Sequence, residues 1–245
     1  MRRLIDGAKR LGIDLSPEQI AAFETHSREM LSWNQRMNLT AIVDPEDVET
    51  RHFLDSLTVV LALQGRLADG ARVLDVGAGA GFPGLPLRVL YPRIRVTLLE
   101  AVGKKATFLE HLVRVMGLSG VEVIWKRAED LAREPAHRER YDVALARAVA
   151  PMPALAELTL PFCRVGGRVV AQKKGDIGQE MEAAGHAIRV LGGRAPELLP
   201  VMVPELGDDH RFLVVIDKAR PTPTAYPRRA GAPRKYPLSA PARRP

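Results

Sequence analysis

The 245-residue chain holds a single cysteine, Cys163. One thiol can form neither an intramolecular disulfide nor a cysteine-based zinc site, so the sequence points to a reducing, cytoplasmic compartment. No apolar run approaches the roughly 18 residues that a bilayer span requires, and the N-terminus lacks the apolar core of a secretory signal. The expectation is a protein that stays inside the cell with no membrane partner. The histidines His26, His52, His111, His137, His186 and His210 lack ligand partners at useful spacing, which argues against a metal site. Acids are missing from residues 219–245 altogether. All 29 Asp and Glu fall in residues 1–218, where Lys and Arg balance them, so the formal charge of +7 sits wholly in the tail. That tail is too rich in proline for a helix or a central strand. It reads either as a solubilising disordered end or as a nucleic-acid arm. In the second reading Arg228, Arg229, Arg234 and Lys235 neutralise phosphates while Tyr226 and Tyr236 stack on bases.

What is present is most informative at residues 72–87, Arg-Val-Leu-Asp-Val-Gly-Ala-Gly-Ala-Gly-Phe-Pro-Gly-Leu-Pro-Leu. An apolar strand runs into a glycine-dense turn and then a helix, the arrangement that holds a nucleoside cofactor. Gly77, Gly79 and Gly81 let a ligand approach the main chain. Asp75, near the end of the strand, is expected to point its charge into the same crevice. A second apolar strand ends in Glu100, at the spacing from which an acid reaches a ribose diol. Gly79-x-Gly81-x-x-Gly84 also fits a dinucleotide loop, with a pyrophosphate at the helix N-terminus. A carboxylate at Asp75 would repel that pyrophosphate, whereas it suits the ammonium and sulfonium of S-adenosylmethionine. An NAD-dependent dehydrogenase is therefore the weaker reading.

Residues 1–66 read as an N-terminal helical extension. Ser16-Pro17-Glu18-Gln19 offers an N-cap, a first-turn proline and a capping-box glutamine, and Asp44-Pro45-Glu46-Asp47 starts a second helix running through Leu63. Residues 67–218 alternate strand and helix, which implies βαβ units and a mainly parallel sheet. Strands are expected near 72–77, 94–99, 121–127, 141–147 and 167–173, and helices near 83–91, 103–117, 151–163 and 177–192. Two further apolar runs, 198–203 and 211–216, are too close together to enclose a helix and should pair antiparallel. The expected fold is α/β: a Rossmann-like, seven-stranded class I S-adenosylmethionine-dependent methyltransferase sheet whose last strand is antiparallel. A basic, proline-rich tail, 219–245, completes the division.

Ligands in such sheets bind beyond the carboxyl ends of the strands. Those ends carry Asp75, Gly77, Gly79, Gly81 and Phe82; Glu100, Ala101 and Val102; Arg127, Ala128 and Glu129; Arg147 and Ala148; and Lys173, Lys174 and Gly175. Ala128-Glu129 reads as a helix N-terminus, or as a hold on an adenine amino group. Arg147, at the tip of an apolar strand, should face the crevice and meet a carboxylate. Lys173 and Lys174 read as solvated surface or as phosphate contacts. His52 and Asp55 share a helix face, for packing or for shaping an RNA-facing wall.

Asn38-Leu-Thr40, Arg51-His-Phe-Leu-Asp-Ser56, Leu74 to Gly84, Glu100 to Leu109, Ala146-Arg-Ala148 and Tyr226 to Lys235 together resemble the bacterial ribosomal RNA small-subunit methyltransferase G family, also called glucose-inhibited division protein B. The resemblance covers nearly the whole chain in order, although the basic tail matches only some members. It implies S-adenosylmethionine-dependent methylation at N7 of a guanine in the 530 loop of 16S ribosomal RNA, whether free or in the 30S subunit; the chain is expected to act as a monomer. It also implies a cofactor pocket lined by Gly77, Phe82, Glu100 to Val102, Ala128, Glu129 and Arg147. The chemistry is compatible, because N7 carries an in-plane lone pair and needs no general base. Cys163, inside a predicted helix, reads as a small buried hydrophobe rather than a nucleophile. The Asn/Asp-Pro-Pro-Tyr/Phe motif of amino-group methylation is missing after the fourth strand, which reads Ala146-Arg-Ala-Val-Ala-Pro151. A ribosome-assembly factor that binds RNA without turnover is the non-catalytic alternative.

Overall fold

The computed structural model describes residues 1–63 and 65–238. Helices α1 (Arg2–Arg10) and α2 (Pro17–Met37) open the chain. The expected capping box starts α2: Gln19 donates its N–H to Ser16 Oγ, and Ser16 donates its own to Gln19 Oε1 at 2.9 Å. Asp44 caps α3 (Pro45–Asp47) through the N–H groups of Glu46 and Asp47. The segment beyond is not one regular helix. It widens into a π-wound turn over Val48–Leu54, passes through α4 (Asp55–Leu57) and tightens into a 3-10 turn, Thr58–Ala62. Regular 3.6-residue spacing cannot anticipate that change of winding.

The remainder alternates as expected: β1 (Arg72–Val76), α5 (Gly84–Leu90), β2 (Arg95–Glu100), α6 (Gly103–Val115), β3 (Val121–Trp125), α7 (Ala128–Leu131), β4 (Tyr141–Arg147), α8 (Met152–Thr159), β5 (Cys163–Lys174), α9 (Gly178–Val190), β6 (Glu197–Pro200), β7 (Arg211–Asp217) and α10 (Ala232–Lys235). The seven strands form one sheet in the order β3-β2-β1-β4-β5-β7-β6. β1 pairs parallel with both β2 and β4, so the winding reverses between β1 and β4 and opens a crevice at their carboxyl ends. β7 runs antiparallel to β5 and to β6, as the paired apolar runs predicted.

Cys163 begins β5 instead of lying inside a helix. Pro161 has no N–H to continue the helical ladder, so α8 stops at Thr159 and tightens over Leu160–Phe162. The thiol is fully buried, which pushes it up to about 12 and keeps it protonated. Its expected role as a packing residue stands on that burial.

β4 shows how the two faces of the sheet are filled. Val143 and Leu145 pack with Leu4, Phe23, Phe53 and Phe108, so the N-terminal helices share the core on that face. Ala144 and Ala146 pack on the other, with Met152, Leu155 and Ile188.

The tail is neither a detached arm nor disordered over residues 219–238. Its backbone carbonyls are held by arginines of the sheet domain: Arg138 donates to the carbonyls of Thr222 and Tyr226, and Arg133 to that of Pro227. Tyr226 packs on the core instead of standing free for bases. Lys218 is buried, with Nζ on Leu160 O and Thr222 Oγ1 at 2.6 Å each. Arg228 pairs with Glu157 at 2.7 Å, and Glu157 is fully buried. A proline-rich segment offers carbonyls with few donors of its own, so distant guanidinium groups order it up to the one turn of α10, a short helix that the proline content did not lead the sequence to expect. Residues 239–245, with Arg243 and Arg244 of the same basic run, lie outside the described residues.

Arg228→Met keeps the aliphatic stem and removes the guanidinium, leaving the buried Glu157 carboxylate uncompensated with the residue-228 backbone N–H as its remaining donor. The expected loss is about 3 kcal/mol of unfolding free energy in urea titrations, the usual cost of breaking a buried pair. A loss below about 0.5 kcal/mol would show instead a solvent-screened contact.

Candidate functional site

Two cavities open over the carboxyl ends of the strands, and Ala148 lies on both walls. The first, about 270 Å³, brings together Gly77, Glu100, Ala101, Val102, Ala128 and Glu129, all of them expected from the sequence, and adds Val149. Glu100, at the end of β2, is 6% exposed. Its Oε2 accepts the Gly79 N–H at 3.0 Å and its Oε1 the Val102 N–H at 2.8 Å. Two backbone donors thereby fix the carboxylate, and each oxygen keeps a lone pair for a hydroxyl. Gly77 has φ +72, and a Cβ there would lie 2.9 Å from Val149 Cγ2, so glycine is required twice over. Gly79 serves the site through its N–H, while neither it nor Gly81 lines the cavity.

Three expected residues stand elsewhere. Asp75 is fully buried beneath the loop, not turned into the crevice. Its Oδ2 accepts the Gly84 N–H at 2.7 Å, securing the first turn of α5, and its Oδ1 has no partner among the described residues. Burial raises its carboxyl to about 7. Phe82 is likewise buried, its ring stacked between His26 at 4.5 Å and His52 at 4.7 Å, and it does not line the first cavity. Burial lowers His26 to about 4. Burial, with the Arg147 guanidinium second, lowers His52 to about 3. Both rings are neutral near pH 7, and the partners set the His52 tautomer: Arg147 donates to Nδ1 at 3.2 Å, so Nε2 carries the proton toward Thr40 Oγ1 at 2.8 Å.

Arg147, the third, belongs to the second cavity, about 560 Å³, together with His52, Asp55, Gln172, Lys173 and Arg211. It meets its expected carboxylate there: Asp55 Oδ2 lies 3.1 Å from Arg147 Nη1, while Asp55 Oδ1 lies 2.8 Å from Arg211 Nη1. Lys173 is held by Ala150 O at 2.8 Å and by Glu180, whereas Lys174 stays exposed at the rim. Gln172 donates to Asp55 O, leaving Gln172 Oε1 and Arg211 Nε buried without partners among the described residues. His26, Thr40, Gln172 and Arg211 escaped the sequence reading. Thr40 and His52 sat in matching motifs, but the antiparallel pairing of β5 with β7 that sets Arg211 opposite Lys174 leaves no local signal. Ala148, between the cavities, has φ +54, a strained conformation for an alanine. The described residues contain no cluster able to hold a metal ion.

The arrangement fits a nucleoside-bearing ligand in the first cavity and an anionic or hydrogen-bonding partner in the cationic second one. The sequence matches the family model described as GidB, rRNA small subunit methyltransferase G, over residues 19–204. It is 51% identical over 238 residues to the ribosomal RNA small subunit methyltransferase G of Dehalococcoides mccartyi, covering 97% of this chain and all of that protein. The protein of the same name from a Roseiflexus species is 48% identical, with the same coverage. Among solved structures, a mutant of MtNAS in complex with S-adenosylmethionine aligns with TM-score 0.54 at 16% identity, covering 82% of this chain and 73% of that one. A SAM-dependent methyltransferase from Aquifex aeolicus aligns at 0.52 and 19%, covering 71% and 93%. At these identities the two likenesses show the fold alone.

Asp75 gives the site a pH signature. Its folded pKa, about 7, lies above the unfolded value of 3.8, so the folded state holds the extra proton and loses stability as pH rises from about 4 through 7. Asp75→Asn removes that term and keeps an acceptor for the Gly84 N–H. The stability of Asp75→Asn relative to wild type should therefore grow between pH 4 and 8, by on the order of 3 kcal/mol. Denaturant midpoints at four or five pH values would show it, and a pH-independent difference would contradict the buried, unpaired carboxyl.

Proposed function

The chain belongs to the rRNA small subunit methyltransferase G family, S-adenosylmethionine-dependent enzymes acting on ribosomal RNA, and from that premise we propose that it methylates N7 of a guanine in the 530 loop of 16S ribosomal RNA in the cytoplasm. The observation that carries this reading is the pair of cavities meeting at Ala148. One cavity has the donor set for an adenosyl group and the other the charge for RNA.

The residues of the first cavity fit S-adenosylmethionine. Glu100 keeps acceptor capacity for ribose hydroxyls, Ala128 and Glu129 stand at the base end, and Gly77 leaves main-chain room beside Val149. When bound there, S-adenosylmethionine supplies an electrophilic methyl group. The second cavity presents the target base. Arg51 and Lys174 attract the phosphate backbone, while Asp55 restrains Arg147 and Arg211 so that neither guanidinium is free to bond the N7 it would otherwise seek. Gln172 Oε1 is a buried acceptor on that wall, matched to the N–H donors of a guanine edge. A ring nitrogen with its own lone pair asks for no proton transfer. The work of these residues is to orient the base, exclude water and hold the two partners in line.

The test is mass spectrometry of 16S ribosomal RNA from cells lacking the gene, with and without a plasmid copy. The expected result is one guanine without its N7-methyl mark, restored by the wild-type copy and not by Glu100→Gln. Purified chain incubated with labelled S-adenosylmethionine and 30S particles or naked RNA then identifies the form of substrate. No label in either would favour a binding factor without turnover.

A further inference from the structure

One side of the first cavity is supplied by the C-terminal segment and not by the sheet. Beyond the buried Arg228–Glu157 pair, the Gly231 N–H donates to Glu129 Oε1 at 2.8 Å. One turn later Arg234 Nη2 donates to the carbonyl of Val149 at 2.9 Å. Glu129 sits on α7 beyond β3, and Val149 follows β4. In the sheet order β3-β2-β1-β4 these anchors flank the cavity, with Glu100 at the end of β2 between them. Residues 231–234 therefore run across the site from its base end to its far end, and Arg234 is itself part of the cavity wall.

We propose that Arg234 is a cofactor-binding residue, its guanidinium pairing with the carboxylate at the methionyl end of S-adenosylmethionine, and that α10 closes the cofactor site. The proposal rests on reading the first cavity as the S-adenosylmethionine site. The orientation follows from the fixed groups. With the ribose on Glu100 and the base toward Ala128 and Glu129, the amino-acid end extends toward Gly77, Ala148 and Val149, where Arg234 is anchored. That end carries the one carboxylate of the molecule. The other cations on the wall lie toward the base: Lys105 on α6 after β2, and Lys126 and Arg127 after β3, with Lys126 paired to Glu134. An arginine with one nitrogen on a backbone carbonyl keeps further donors for a carboxylate fork, which a lysine in the same place would lack. Arg234 is thereby withdrawn from the phosphate-neutralising set expected of the tail. Arg229, exposed and with no side-chain hydrogen bond among the described residues, remains available to it.

The experiment titrates the full-length chain by calorimetry, without RNA, using two probes: S-adenosylmethionine and 5′-methylthioadenosine, which has the same nucleoside and no amino-acid end. Arg234→Ala and Arg234→Gln should each weaken S-adenosylmethionine about tenfold and leave methylthioadenosine unchanged. Arg229→Ala should change neither. Retained methylthioadenosine binding reports that the variants are folded. Equal loss for both probes would make Arg234 a structural strut, and no loss for either would place the carboxylate elsewhere; both results overturn the proposal. If the wild-type chain binds methylthioadenosine but gains nothing from the amino-acid end, the carboxylate pairing is refuted while the cavity assignment survives. If it binds neither probe, the cavity assignment itself has failed.

Discussion

Asp55 holds two arginines at once, Arg147 from the tip of β4 and Arg211 from the start of β7, at 3.1 and 2.8 Å. The carboxylate comes from the N-terminal helices and the cations from two strands, so this one group ties the helical extension to the sheet above the crevice. All three side chains are largely withdrawn from solvent, where losing one partner of a buried pair strands the other. The second cavity exists because the strut stands where it does. Move Asp55 and its walls lose their common anchor.

A second link joins the same helices to the glycine loop. Phe82 leaves the loop and inserts between His26 of α2 and His52 of the π-wound turn, while the Arg147 guanidinium lies 5.0 Å from the Phe82 ring. His26 also bonds the Ala80 carbonyl at 2.8 Å. Burial keeps both imidazoles of the stack neutral near pH 7. The donor loop and the wall of the second cavity are therefore packed through a single set of rings. Phe82 bears on the first cavity by fixing the glycine loop from behind, and Asp75 does the same by anchoring α5.

Much of this was legible because local chemistry dictates it. The capping box at Ser16, the glycine turn after β1, the acid ending β2 and the short link forcing the antiparallel β7 all follow from backbone rules acting over a few residues. The directions of Asp75 and Phe82 were misread for a different reason. Spacing places a residue at the end of a strand, but which side of the loop its side chain takes depends on partners that spacing does not show: for Asp75 the Gly84 N–H, and for Phe82 His26 of α2 and the turn at His52. The tail was misread on composition. Proline content argues against regular secondary structure, and the tail forms just the single turn of α10, with Pro233 where its missing N–H is not needed; most of the order comes from Arg133, Arg138 and Glu157, which the tail meets only in the folded chain.

The tail also changes what the basic charge of the chain means. A count over residues 219–245 treats every cation as free for phosphate, yet Arg228 answers the buried Glu157 carboxylate. A guanidinium already paired within the fold releases no counterion on meeting RNA, so it adds little to affinity or to its salt dependence. The field that attracts an RNA backbone must come from cations that stay open to solvent. Lys174, Arg229 and Lys235 are exposed in this way, and Lys174 lies on the rim of the second cavity. Charge left uncommitted around the opening steers the nucleic acid, while charge committed inside the fold shapes the site it reaches.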